Sequence, residues 1–175
     1  MGKHKVFISY HRADTKQEEI LEKILNDNNI EFYSVPKDAN FDNWSQEHIA
    51  QVICDNMKDC DILICLIGKE TYSRPNVDRE IHEALKGKPG VRKGIIALLI
   101  ENRNDSKFNI NKKTFPAKLL QNKDYVVIEQ FGSFKSNALR WINKAYDNSI
   151  NSTIQTTHAN NVMPLRLTKY FDRKL

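Results

Sequence analysis

The run Ser73-Arg74-Pro75-Asn76-Val77-Asp78-Arg79-Glu80-Ile81 sets one carboxylate beside an apolar stripe. At about 100° per residue, Val77, Ile81, Ala84 and Leu85 share a helix face and Glu80 projects about 40° beyond its edge, half toward the interior and half toward solvent. A carboxylate in that position, a few residues beyond the apolar run Asp61 to Gly68, lies where a parallel α/β sheet usually keeps its ligand. It can equally be an early-turn acid interacting favourably with the helix dipole, and spacing alone weighs toward that plainer role. Ser73 or Asn76 is the expected cap, and Pro75 suits a first turn because its missing N–H would have no partner there.

Other chemistry-bearing residues are sparser. His11 and Arg12 follow the first apolar run and could contact a phosphate, or could simply be solvated loop residues. His48 reads as a packing or surface histidine, His82 points away from the apolar stripe, and His158 sits in a polar tail. No two histidines have metal-ligand spacing, so no metal site is expected. Cys54, Cys60 and Cys65 fit no zinc pattern, and Cys65 lies within an apolar run. Free thiols in a reducing cytoplasm are the simplest reading. There is no G-x-G-x-x-G after the first strand, no Walker A loop and no G-x-S-x-G elbow, which disfavours classical dinucleotide dehydrogenases, P-loop NTPases and α/β-hydrolases. A receiver-type phosphoacceptor is also disfavoured, since the first strand lacks an acidic pair at its end and the third ends in Gly68.

The elements that must position Glu80 read as strands alternating with helices. Lys5 to Tyr10 is a strand; Thr15 to Asn28 is an amphipathic helix, with Asp14/Gln17 or Thr15/Glu18 at capping-box spacing. Glu31 to Val35 is a second strand stopped by Pro36. A polar loop, 37–43, leads to a helix from Trp44 to Met57. Asp61 to Gly68 and Gly94 to Ile100 are apolar throughout, as befits strands covered on both faces. Tyr125 to Glu129 is the fifth strand, and Phe134, Ala138, Trp141, Ile142 and Ala145 mark a last helix. Between Glu101 and Asp124 only Phe115 to Leu120 suggests a helical turn. The pattern predicts an α/β fold: a five-stranded parallel sheet in the flavodoxin-like order 2-1-3-4-5, with helices on both faces. That order opens a crevice at the carboxyl ends of strands 1 and 3, where the residues after Ser9 meet those after Gly68.

With these residues in place, the chain resembles a TIR domain of the type found in bacterial defence and signalling. Val6-Phe7-Ile8-Ser9-Tyr10 with Asp14 resembles the family's first-strand motif, Asp61 to Gly68 its third strand, and Ser73 to Ile81 the helix that bears its catalytic glutamate. The resemblance covers roughly residues 4 to 146. Many members carry Trp four residues before the glutamate and Cys three before; Asn76 and Val77 stand there instead, and Val77 is similar to the TIR subunit of Thoeris anti-phage systems. The resemblance implies cleavage of NAD⁺ at the nicotinamide N-glycosidic bond, giving a linear or cyclic ADP-ribose product. NAD⁺ is then substrate, and no cofactor is expected. It implies Glu80 as the catalytic residue, with Phe7, Ser9 and Tyr10 near the first-strand end of the pocket; by position alone, His11, Arg12, Lys69 and Tyr72 are expected to contact phosphates or bases, and Asn76 to line the substrate site. It further implies other TIR subunits as partners and a separate effector reached through a nucleotide messenger. Two alternatives stand beside it: a non-enzymatic TIR interaction module, and a nucleoside deoxyribosyltransferase-like enzyme, whose fold also presents a glutamate to a ribose.

Bulk composition sets the frame. The 175 residues, 40% hydrophobic and 28% charged, suit one globular domain, here expected over 1–147 with a polar tail at 148–175. The longest apolar runs, Ile62 to Ile67 and Ile95 to Ile100, fall far short of the roughly 20 residues a spanning helix needs. The N-terminus shows no apolar leader, and Val6 occupies the place where a myristoylation motif wants Ser or Thr. The net charge of +5 comes from scattered lysines without an aromatic-basic stripe, so neither a nucleic-acid nor a membrane partner is expected.

Overall fold

The computed structural model describes residues 4–34, 44–101, 103 and 106–157. The expected end of the second strand at Val35-Pro36, the loop 37–43, His158 and the tail beyond 157 lie outside the described residues.

Five strands, β1 (Val6–Ser9), β2 (Phe32–Ser34), β3 (Ile62–Ile67), β4 (Gly94–Leu99) and β5 (Val127–Gln130), form one parallel sheet in the order β2-β1-β3-β4-β5. This is the order the alternating pattern predicts. Between the strands run α1 (Thr15–Asp27), α2 (Gln46–Met57), α3 (Pro75–Leu85), α4 (Ala117–Gln121) and α5 (Phe134–Ile150). Every residue of β3 and β4 is buried, because helices cover both faces of the central strands. Val6, Ile8, Ile62, Ile64 and Leu66 pack with α1 and α5, while Phe7, Leu63, Cys65 and Ile67 pack with α2, α3 and α4. Burying each such aliphatic side chain contributes roughly 1.5–3 kcal/mol, so the central strands firmly anchor the elements that lead into α3.

Local chemistry sets the ends of elements. Ser45 caps α2 by accepting from the His48 N–H at 3.2 Å. The capping-box expectation for α1 is not met: a 3-10 turn, Arg12–Asp14, precedes the helix and Asp14 makes no capping bond. Thr15 Oγ1 instead donates to the Arg12 carbonyl at 2.7 Å. At Gly94 a Cβ would fall 2.4 Å from the Ala145 carbonyl oxygen; the missing side chain is what lets α5 lie directly on β4.

α5 continues to Ile150, across the expected boundary at 147/148. Beyond it the backbone turns back onto the domain. Arg92 donates to the carbonyls of Asn148, Ser149 and Asn151, and Asn122 pairs through both amide atoms with the Thr157 backbone.

Candidate functional site at the carboxyl ends of β1 and β3

The strand order reverses between β1 and β3, the kind of point at which the segments leaving a parallel sheet's carboxyl ends diverge and open a crevice. From β3 the chain passes Gly68, Lys69 and Glu70, makes a 3-10 turn at Thr71–Ser73 and enters α3. Thr71 Oγ1 accepts from the Gly68 N–H at 2.8 Å and donates to the Leu66 carbonyl at 3.3 Å. Arg103 Nη1 donates to the Gly68 carbonyl at 3.0 Å. A Cβ on Gly68 would come within 2.4 Å of the Asp14 carboxylate, so glycine lets the turn after β1 seat against the turn after β3. Asp14 and Arg103, both buried, thereby brace the crevice floor. Sequence pattern marks Asp14 only as a cap and as part of a strand motif, and it gives no sign of Arg103, which lies in an irregular stretch without periodicity.

Glu80 is only 4% exposed, deeper than the half-buried position expected from the helical wheel. The reason is tertiary. α3 is flanked by α2 on one side and α4 on the other, and Lys118 of α4 grips Asp78 with its ammonium 2.6 Å from both carboxylate oxygens. Flanking helices widen the buried face beyond the stripe visible in sequence. The same packing buries His82, contrary to the outward position expected of it. The cap differs as well: neither Ser73 nor Asn76 caps α3, whose flanking residue is Arg74 with no side-chain capping bond, although Pro75 occupies the first turn as expected.

Burial pushes the Glu80 carboxyl up to about 8, opposed only by the nearby Ser9 hydroxyl. Among the described residues no cation is paired with it. Ser9 is 1% exposed and lies beside both Glu80 and Cys65, yet its Oγ completes no well-formed hydrogen bond. Cys65, in register with Ser9 across the sheet, is pushed up to about 12, chiefly by burial. It is a packing thiol rather than a nucleophile. The Asn76 Oδ1, one turn before Glu80 on the same side of α3, is also buried without a hydrogen-bond partner. The arrangement is a neutral-leaning carboxyl with two underused polar neighbours in an apolar wall. Such a carboxyl, once ionised, can stabilise positive charge that enters.

Of the other sequence candidates, Phe7 shares the Ser9 face and is wholly core. Tyr10 packs on the opposite face of the sheet, against the α1 and α5 core. His11 lies with its Nε2 3.5 Å from Glu70 Oε2, the oxygen that also pairs with Arg74. Burial, and then the Arg74 charge, hold the His11 pKa below the usual imidazole value. Arg12 and Lys69 are exposed and Tyr72 is 40% exposed. Thus Ser9 and Glu80 meet, and His11 meets Arg74 through Glu70. A shallow groove between β5 and α5, lined by Lys107, Glu129, Asn137, Arg140 and Lys144, shares no residue with this crevice, and its charged, open walls are unlike the mostly apolar lining of a small-molecule pocket. Among the described residues no His/Cys/Asp/Glu cluster is placed to hold a metal ion, and no helix is long and apolar enough to cross a membrane.

No curated protein matches the chain. Among solved structures, the TIR domains of the activated Roq1 resistosome directly recognising the pathogen effector XopQ are similar at 12% identity, covering 83% of each chain with a TM-score of 0.42. The family model described as Thoeris protein ThsB, TIR-like domain, matches residues 7–105. That span is more than half the chain and runs from β1 through the Glu80 helix and past β4, taking in both sides of the crevice. By fold order and by this match, the chain belongs to the ThsB family of TIR-like domains.

Proposed function

We propose that this protein cleaves NAD⁺ at the nicotinamide N-glycosidic bond, with Glu80 as the catalytic residue, and supplies an ADP-ribose-type messenger to a separate effector in anti-phage defence. The observation that supports this reading is a buried carboxyl, without a counter-charge among the described residues, at the crevice where the sheet order reverses. In the reaction the C1′–N bond breaks and its electron pair goes to the pyridinium nitrogen, which leaves as neutral nicotinamide. The ribose acquires oxocarbenium character, as in glycoside hydrolysis. A carboxylate beside it lowers the barrier electrostatically, most effectively where water is excluded. Because the leaving group needs no proton, a single carboxylate suffices. Water, or a nucleophile within the same molecule, then takes C1′, giving a linear or a cyclic product.

Ser9 and Asn76 flank the carboxyl with spare hydrogen-bonding capacity and suit the ribose hydroxyls or the nicotinamide amide. The cationic substrate itself favours the ionised form of Glu80, drawing its pKa down on binding. The test is nicotinamide release from NAD⁺ by the purified chain, alone, crowded and in extracts of infected cells, with Glu80→Gln as the comparison. Two observations favour a second reading, a non-enzymatic TIR interaction module. Glu80 is nearly sealed from solvent, and Asn76 replaces the aromatic of many relatives. In that case Glu80→Gln leaves signalling intact, whereas changes on association surfaces abolish it.

A further inference from the structure

At the crevice mouth, Glu70 Oε2 bridges the Arg74 guanidinium and the His11 imidazole. The three side chains are unequal: those of Arg74 and His11 are 19% exposed, that of Glu70 is 61% exposed. The donor side, a guanidinium and an imidazole, is held by the start of α3 and the end of β1, whereas the acid is a long side chain on a turn. We infer that Arg74 and His11 form the subsite for the diphosphate of a dinucleotide, and that Glu70 occupies it in the ligand-free protein. This rests on the reading of the Glu80 crevice as a dinucleotide site.

Magnitudes favour the exchange. A solvent-exposed carboxylate–Arg pair is worth about 0–1 kcal/mol, so little holds Glu70 in place. A diphosphate brings more than one negative charge and several acceptor oxygens that match the planar guanidinium fork. The start of α3 adds to its attraction, since the helix lacks a side-chain capping bond and its first N–H groups carry a positive field. Register fits too. Arg74 precedes Glu80 by six residues, about 9 Å along the helix axis at 1.5 Å per residue. Along the axis, that is the scale of one ribose and its 5′-phosphate.

The test is calorimetric titration of the full chain with inorganic pyrophosphate at low salt, comparing wild type, Glu70→Gln, Arg74→Gln and, as a charge control, Asp59→Asn, an exposed acid before β3 at the opposite end of the sheet. Glu70→Gln is expected to bind at least about threefold more tightly, a gain within the worth of an exposed ion pair. Arg74→Gln is expected to lose binding and Asp59→Asn to match wild type. Equal affinity of Glu70→Gln and wild type, undiminished binding by Arg74→Gln, or the same tightening by Asp59→Asn overturns the inference. The titration needs no turnover: if it succeeds while NAD⁺ is never cleaved, the catalytic reading fails and the anion subsite stands. If NAD⁺ is cleaved and neither variant alters pyrophosphate affinity, the catalytic reading stands and the anion subsite fails.

Discussion

At the scale of single residues, Glu80 sits deeper than a helical wheel places it. A helical wheel gives the direction of a side chain but not the width of the face its neighbours cover, so the residue was legible and its depth was not. Depth has a thermodynamic signature. With the folded-state pKa raised to about 8, the native protein holds a proton that the unfolded chain releases near pH 4.5. Stability therefore falls as pH rises between those values and levels off above the upper one. Glu80→Gln removes that penalty: its stability relative to wild type should grow from pH 5 to pH 8, by on the order of a few kcal/mol. Urea unfolding at the two pH values measures this, and an equal difference at both would show that Glu80 is not buried as an acid. On the proposed function the same group sets the pH dependence of the rate. If the ionised form is needed, kcat/KM for NAD⁺ should rise through about pH 8, because that ratio reports the free enzyme's pKa. A flat profile from about pH 6 to 9 would contradict it.

Elements were more legible than their junctions. β3 and β4 announce themselves as short apolar runs, and α1, α2, α3 and α5 by their stripes, because burial selects the same residue types wherever it occurs. β2 is only three residues at the sheet edge, and α4 is five residues, too short for periodicity to mark. The caps of α1 and α3 differ from expectation because residue types that can cap are present while the preceding 3-10 turns use the backbone differently. What fixes α3 against α4 is a contact that single-sequence reading does not reach, the largely buried Asp78–Lys118 pair at 2.6 Å. Asp78→Asn leaves a mostly buried ammonium without its charge partner and should cost about 3 kcal/mol, read by chemical denaturation, with faster amide exchange in α4. Unchanged stability would mean that the pair is solvated. Gly94→Ala drives a methyl into the Ala145 carbonyl and should cost about 1–3 kcal/mol through displacement of α5; thermal unfolding decides.

At the scale of the molecule, the parallel sheet and its strand order followed from the alternation of strand and helix signals, and that order sets the carboxyl ends of β1 and β3 side by side. The tertiary braces were not legible: Arg103 under Gly68, and Arg92 beneath the end of α5. Arginines in irregular or turn-rich stretches look like solvated residues until the fold supplies carbonyls around them. Arg92→Met removes the guanidinium from three backbone carbonyls, of which that of Ser149 keeps the Gly90 N–H, and should cost roughly 2–3 kcal/mol. Amide exchange should then rise in residues 151–157 and stay unchanged in β3; uniform exchange would show that the brace is dispensable. All of this frame serves one claim, that Glu80 stabilises the cation formed when nicotinamide leaves NAD⁺. Nicotinamide release by purified wild type and Glu80→Gln, followed side by side alone, crowded and in extracts from infected cells, tests it most directly. Catalysis by Glu80 predicts release by wild type in at least one condition and a fall of at least about 100-fold in the variant. Release that persists in Glu80→Gln, or no release by wild type under any of these conditions, would contradict it.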